Sequence, residues 1–447
     1  MKKSLLSIFL IFILMFSVFS LPASAYKLSG FEVRAEGVML ASIDTGDILY
    51  SKNVDKRFYP ASLTKIMTAL ILLENTPDLD SEILTVSYNA IHALDGTGSS
   101  MGGLMEGEQI TARQALYYLL MRSANECANV IAEHFGGTIY DFVGKMNLRA
   151  QELSMTGTHF VNPHGLHDSE HYTTVQDLYI LMKEVMKYPE FMEVTSATRF
   201  QMPATNKQAA RTISTTVFLQ DKHNVGSPKY YYPYAAGVKT GYTDEAGRCL
   251  ISTASKGGYN YLCILMNSTV YNESGAMVRY EFEDSQQLYD WAFDNFEYKT
   301  VVDQSSPVAE AKVELCWESD HVSLLLEGGL SAILPKDADS STVQIKPTVY
   351  KDSFDAPIKK GEVLGTAEIV YAGESLGTIN LVASETLEAN FFLRIGRYLK
   401  QAFTSTVFKL LVASVVIAIL VFILIVVLMN RKRRRRRRRY YHNTRRR

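Results

Sequence analysis

Apolar and polar positions follow two different rhythms along this chain. From about residue 38 to residue 297, helical spacing and strand alternation are interleaved. Val38–Ile43 and Asp47–Tyr50 read as two strands joined through Asp44-Thr45-Gly46. Tyr59-Pro60-Ala61-Ser62-Leu63-Thr64-Lys65 opens an apolar run, Ile66 to Leu73, that continues to about Asn75. Pro60 suits the approach to a helix, which puts Ser62 in its first turn. Residues 80–110 mix short apolar runs with a flexible glycine- and serine-rich loop, Gly96 to Gly103. Thr111 is placed to cap a helix carrying Ala115, Leu116, Leu119 and Leu120 at helical spacing, with a break near Arg122. A second apolar helix, Glu126 to Phe135, is expected to stop at Gly136-Gly137. Residues 140–190 read as helical with one loop, Asn162-Pro163-His164-Gly165-Leu166, followed by a long polar connection that leads to Ala236. Lys239-Thr240-Gly241 then leads into an antiparallel pair, Cys249–Ser255 and Tyr259–Met266, and Tyr280–Phe296 reads as a closing amphipathic helix. From Lys299 the rhythm changes to short alternating strands, namely 308–317, 322–326, 343–349, 366–370 and 378–382. These predict a small all-β domain.

Two longer apolar runs lie near the ends. Leu5 to Leu21 follows Lys2-Lys3 and precedes Ala23-Ser24-Ala25, the pattern of a cleaved secretory signal. Leu410 to Met429 is 20 residues without a charge, enough to span a bilayer as a helix. The expected organisation is therefore a signal peptide over 1–25, a helix-and-strand domain over 26–297 and a small all-β domain over 298–385. An amphipathic linker over 386–409, a transmembrane helix over 410–429 and a basic tail over 430–447 complete it. The formal net charge of −1 conceals an asymmetry. Of 46 basic residues, 12 lie in the tail and two are Lys2 and Lys3, so residues 26–430 carry 32 against 47 acidic ones. A basic cluster beside a span is held on the cytoplasmic side, which predicts a single-pass protein with residues 26 to about 405 outside the membrane. The tail is explained by topology and anionic lipid, and the acidic exported part argues against nucleic acid. Cys127, Cys249, Cys263 and Cys316 are too few and too scattered for a disulfide framework, and no metal-ligand spacing is present.

Chemistry enters with three short motifs. Ser62 and Lys65 stand three residues apart on one helix face, so a hydroxyl is brought beside an amine. An amine kept neutral by burial or by a neighbouring cation is one of the few bases able to activate serine, with Ser62 attacking and Lys65 taking its proton. Ser24 to Lys27 repeats the spacing without the context. Ser123-Ala124-Asn125 sits between two helices, where a hydroxyl and a carboxamide suit protonation of a leaving amine and bonding to a substrate amide. The same triplet pattern occurs at Ser51–Asn53 and Ser87–Asn89, so alone it says little. Lys239-Thr240-Gly241 occurs once, on a strand, where a cation and a hydroxyl suit a substrate carboxylate and Gly241 permits close backbone approach.

S-x-x-K, S-x-N and K-T-G in this order, on helix start, interhelical loop and strand, form the motif trio of penicillin-binding proteins and class A β-lactamases. Over about residues 35–385 the chain resembles the D-alanyl-D-alanine carboxypeptidases among the low-molecular-weight penicillin-binding proteins. The resemblance rests on Tyr59–Thr68, Gly98–Gly102, Asn162–Leu166 and Val238–Thr243. It implies an α/β (α+β) penicillin-recognising serine transferase fold, an antiparallel sheet with helices, followed by the small all-β C-terminal domain. It implies removal of the terminal D-alanine from peptidoglycan pentapeptide stems through a Ser62 acyl-enzyme, with no cofactor and no metal, and covalent inhibition by β-lactams. In that arrangement Lys65 is the general base and Ser123 the proton relay. Asn125, Lys239, Thr240 and Gly241 contact substrate, and the backbone N–H of Tyr242 joins that of Ser62 around the oxyanion. Ala124 replaces a common glycine, the span replaces an amphipathic anchor, and Thr212–His223 lacks the asparagine-rich pattern expected before K-T-G. A serine β-lactamase and a non-catalytic wall-binding protein are the alternatives, discriminated by penicillin turnover and by labelling of Ser62.

Overall fold

The computed structural model describes residue 28 and residues 30–443, except 224–227, 304–305, 340–341 and 372. The expected signal segment lies outside the described residues. The strands are β1 (Gly37–Ser42), β2 (Ile48–Lys52), β3 (Ile83–Thr85), β4 (Gln109–Thr111), β5 (Arg199–Met202), β6 (Arg211–Ser214), β7 (Ala235–Thr243), β8 (Gly247–Lys256) and β9 (Tyr259–Ser268). Further along come β10 (Phe296–Val302), β11 (Ala309–Glu314), β12 (His321–Leu326), β13 (Leu330–Pro335), β14 (Gln344–Val349), β15 (Phe354–Asp355), β16 (Val363–Tyr371) and β17 (Glu374–Ala383). The helices are α1 (Lys65–Asn75), α2 (Tyr88–His92), α3 (Ala112–Leu120), α4 (Asn125–Gly136), α5 (Ile139–Glu152), α6 (Val175–Val185), α7 (Pro189–Ser196), α8 (Tyr280–Asn295), α9 (Phe391–Thr404) and α10 (Thr406–Asn443). The chain forms two compact units, one running to Lys299 and including Ala332–Ala338, the other comprising Thr300–Ser331 and the chain from Asp339 onward.

In the first unit a five-stranded antiparallel sheet has the order β2-β1-β9-β8-β7. Its inner strands alternate between two cores. Met39, Ala41, Leu262 and Ile264 face the cluster built by α1, α3, α4 and α6, while Val38, Leu40, Cys263 and Leu265 face the cluster around Phe282, Leu288 and Tyr289 of α8. A sheet covered on both faces buries every position of β1, which is why this strand reads as a continuous apolar run. Helix α1 is buried from Lys65 through Leu73, so its apolar all-round sequence is that of a central core helix.

Two helix ends follow the sequence closely. Thr111 Oγ1 accepts the Gln114 N–H at 3.2 Å while Gln114 Oε1 accepts the Thr111 N–H at 2.9 Å, a reciprocal cap on α3. α4 ends at Gly137, whose φ of +81° a residue with a side chain adopts only at a cost. Other features depart from expectation. Ser62 lies in a separate 3₁₀ turn, Ala61–Thr64, and the α-helix proper begins at Lys65. Residues 139–196 form three helices, and the polar connection contains the β5–β6 hairpin. This hairpin is concealed in the sequence because neither strand carries a buried apolar face of any length.

The second unit holds a six-stranded sheet of order β14-β16-β17-β12-β11-β15, antiparallel apart from the β11–β15 pair. Val322, Leu324 and Leu326 alternate inward along β12, as do Ala311 and Val313 along β11. α9 is capped by Asn390, whose Oδ1 accepts the Phe392 and Leu393 N–H groups at 2.9 and 3.2 Å. Within this unit Arg397 of α9 pairs with Asp355 and, at 3.5 Å, with Glu314. α10 holds one stretch, Thr406–Arg434, long and apolar enough to cross a membrane, with none of it buried against protein.

Candidate active site

Ser62 owes its position to the backbone around it. Ala61 has φ of +46°, a left-handed conformation that costs a non-glycine residue roughly 1 kcal/mol or more and turns the chain sharply into the 3₁₀ turn. Gly165, from the Asn162–Leu166 loop, lies against this turn. A Cβ there would come within 1.8 Å of the Ala61 carbonyl oxygen, so only glycine fits. Asn162 Oδ1 accepts the Gly165 N–H at 2.7 Å and shapes the loop.

Lys65 is wholly buried, with its amine held among three oxygens: Ser62 Oγ at 2.9 Å, Asn125 Oδ1 at 2.7 Å and the His164 carbonyl at 2.7 Å. Burial first, and the nearby Lys239 cation second, push its pKa well below the ordinary lysine value, against an opposing pull from Glu126. Lys239 is likewise wholly buried, and burial pushes it down to about 7. Its amine donates to Ser123 Oγ at 2.9 Å and to the Thr240 carbonyl at 2.8 Å. The sequence suggests a carboxylate contact for Lys239; the structure instead turns its amine onto Ser123, because that serine, at φ of +60°, projects back toward strand β7.

These groups converge on a cleft of about 320 Å³ lined by Ser62, Ser123, Asn125, Thr216, Thr240 and Tyr242 among others. Thr240 donates its hydroxyl to Thr216 at 2.9 Å. A Cβ on Gly241 would stand 3.2 Å from Ser62 N and 3.1 Å from the Pro60 carbonyl, so the absent side chain lets β7 close on the turn that holds Ser62.

Several contributors carried no sequence signal. Arg248 and Arg279 line the cleft and supply its positive charge, but they lie on β8 and before α8, far along the chain. Thr216 sits in the very stretch that lacks the expected asparagines. Glu126, which reads as an ordinary first-turn acid, is fully buried. Its Oε1 accepts the Gly102, Gly103 and Leu104 N–H groups at 2.6, 2.8 and 3.3 Å, pinning the loop whose Gly98, Ser99 and Ser100 form one cleft wall. Cys127, Cys249 and Cys263 are buried thiols without disulfide partners. Among the described residues no three His, Cys, Asp or Glu side chains gather as a metal set.

Comparison with known proteins agrees with this geometry. Residues 23–270 match the family model described as D-alanyl-D-alanine carboxypeptidase, and residues 296–389 match that of the penicillin-binding protein 5 C-terminal domain. The chain is 30% identical over 363 residues to the D-alanyl-D-alanine carboxypeptidase DacF of Bacillus subtilis, covering 80% of this chain and 87% of that protein. It is 26% identical over 386 residues to DacA of Escherichia coli, covering 83% and 88%. The fold is similar to that of penicillin-binding protein 5 from Haemophilus influenzae, with a TM-score of 0.62 at 24% identity over 81% of this chain and all of that one.

Proposed function

The chain belongs to the D-alanyl-D-alanine carboxypeptidase family of low-molecular-weight penicillin-binding proteins, and from that premise we propose how its own residues release the terminal D-alanine of a peptidoglycan pentapeptide stem. The observation that carries the reading is the buried Lys65 amine 2.9 Å from Ser62 Oγ. When neutral, this amine has two N–H bonds, which Asn125 Oδ1 and the His164 carbonyl accept. Its lone pair then faces the Ser62 hydroxyl, the arrangement a general base needs.

Ser62 Oγ attacks the carbonyl carbon of the penultimate D-alanine and passes its proton to Lys65 Nζ. The oxyanion forms between the backbone N–H groups of Ser62 and Tyr242, donors worth about a hundredfold or more in rate. Thr240 and Thr216, with the positive charge of Arg248 and Arg279, receive the terminal carboxylate, while Asn125 receives the penultimate amide. As the tetrahedral adduct collapses, Ser123 hands a proton to the departing D-alanine nitrogen and is resupplied from Lys239. Water then hydrolyses the Ser62 ester. A β-lactam presents a carboxylate and an amide at similar places. Its leaving nitrogen stays tethered after ring opening, so deacylation is slow.

The apolar helix α10 is compatible with a membrane anchor. We place the catalytic unit outside the membrane and the arginine-rich tail inside, on the charge rule for residues flanking a span. Protease added to wall-stripped cells is then expected to remove the catalytic unit and spare a small C-terminal fragment; survival of the catalytic unit would reverse this orientation. The catalytic reading is tested by incubating the full-length protein with a synthetic pentapeptide ending in D-Ala-D-Ala. D-alanine release is expected from the wild type and none from Ser62→Ala. Equal release by both proteins would remove Ser62 from the mechanism.

A further inference from the structure

The loop that offers the His164 carbonyl to Lys65 is closed at its base. There His159 and Tyr172 exchange backbone hydrogen bonds at 2.9 and 3.0 Å, and the next residue inward, His171, is buried. The protonation of its ring follows from its partners. The Val161 N–H donates to Nδ1 at 3.1 Å, so that nitrogen carries a lone pair and the single ring proton sits on Nε2. Nε2 therefore donates to Thr64 Oγ1, 2.8 Å away and 107 positions earlier in the chain. Burial pushes the ring's pKa down to about 3, so this neutral form persists at every pH near neutrality.

Each end of the bridge bears on the reacting pair. Thr64 closes the 3₁₀ turn that holds Ser62 and directly precedes Lys65. Val161 leads into the segment that meets α1. In that segment the Pro163 carbonyl accepts the Thr68 hydroxyl at 2.6 Å, and the His164 carbonyl accepts from Lys65 Nζ at 2.7 Å. A Cβ on Gly165 would stand 2.9 Å from Thr64 Oγ1, so this hydroxyl lies where the loop crosses the turn. Thr68 and Lys65 tie the loop to the helix; His171 ties it to the turn before the helix. The imidazole itself is not among the residues that line the cleft.

Taken with the catalytic reading above, on which it rests, we infer that His171 is a positioning residue for the Ser62–Lys65 pair. Holding the Ser62 turn through Thr64 and the His164 segment through Val161, one ring fixes the direction from Lys65 Nζ to Ser62 Oγ. Without it the buried Thr64 hydroxyl loses its donor, and the carbonyl that orients Lys65 shifts against the turn. Proton transfer is steeply sensitive to such a shift, since about 1 Å of misplacement costs about a hundredfold in rate. Reversible binding is not, because Thr216 and Thr240 lie on other elements.

The test follows acylation of the full-length protein in detergent by benzylpenicillin, separating the reversible binding constant from the acylation rate constant. His171→Phe keeps the bulk of a ring and removes both nitrogens; it is expected to slow acylation about ten- to a hundredfold at unchanged reversible binding. Thr64→Val removes only the acceptor and is expected to slow acylation about three- to tenfold. Combined with His171→Phe it adds nothing further, because both act through one hydrogen bond. His171→Gln, whose carboxamide offers an acceptor and a donor, is expected to return acylation to within about threefold of wild type. Wild-type acylation by His171→Phe or Thr64→Val, effects that multiply in the double variant, or a loss confined to reversible binding overturns the inference. Should His171→Phe not fold, slow acylation by Thr64→Val with near-normal acylation by His171→Gln supports it, and any other pattern overturns it. A wild type that is not acylated on Ser62 overturns the catalytic reading instead, and the inference with it.

Discussion

The two units bury different kinds of side chain. Inside the peptidase unit lie Lys65, Lys239, Glu126, Ser123 and Asn125, each less than a tenth exposed. Among the described residues beyond Lys299 in the second unit, every buried side chain is apolar. The β unit obeys the alternation that any sheet with one covered face requires. The peptidase unit also buries charged groups, among them Glu108, Asp177, Glu281 and Asp284 besides those at the cleft, and its left-handed Ala61 and Ser123 stand at the cleft itself. Buried amines and strained backbone cost stability, and they persist where the surrounding structure fixes them for a chemical purpose. The two buried amines, Lys65 and Lys239, lie at the cleft, whereas the described buried side chains of the β unit are apolar.

Substitutions sharpen this contrast in a graded way. Lys65→Arg keeps the charge but a guanidinium does not deprotonate, so acylation by a fluorescent penicillin is expected to fall about a thousandfold or more. Near-normal labelling would assign the base elsewhere, with Ser123 next in line. Gly241→Ala is expected to slow acylation about a hundredfold, since the new Cβ would press on Ser62 N and the Pro60 carbonyl and spread the two oxyanion donors. Stopped-flow labelling at unchanged melting temperature reads this out; an unaltered rate would mean β7 does not supply a donor.

Lys239→Gln has a smaller effect with a definite sign. Removing a cation that helps hold the Lys65 pKa down lets that pKa rise, so the neutral base appears only at higher pH. The acid limb of the pH–acylation profile is expected to move upward. The difference is confined to pH below about 7, where the wild-type Lys239 carries its charge. A limb that stays put or moves downward would break the coupling. The least catalytic effect belongs to the β unit. Ile369→Ala opens a cavity at a fully buried position and is expected to lower that unit's stability by about 2–4 kcal/mol, seen in thermal unfolding, with penicillin labelling unchanged.

The same contrast explains what was legible in the sequence. Ser62, Lys65, Ser123, Asn125 and the K-T-G strand stand out because their spacing reports local structure, and local structure is what sequence encodes most directly. Of the strands from Phe296 onward, β11, β12, β14, β16 and β17 were legible from alternation; β10, the two-residue β15 and β13, whose Ala332-Ile333-Leu334 run is continuously buried and ends at Pro335, were not. The partnership of Lys239 with Ser123 was not legible, since it depends on one left-handed residue more than a hundred positions away. Glu126, Thr216, Arg248 and Arg279 were silent for the same reason: each acquires its role only when distant elements meet around the cleft.

The central claim is that Ser62 is acylated by an amine-activated attack. Intact-protein mass spectrometry after brief exposure to benzylpenicillin, followed by peptide mapping of the adduct, tests it most directly. The account predicts a single penicilloyl adduct on the peptide containing Ser62 in the wild type, and no adduct on Ser62→Ala. An adduct carried by Ser123 or any other residue, or one that survives in Ser62→Ala, would contradict it.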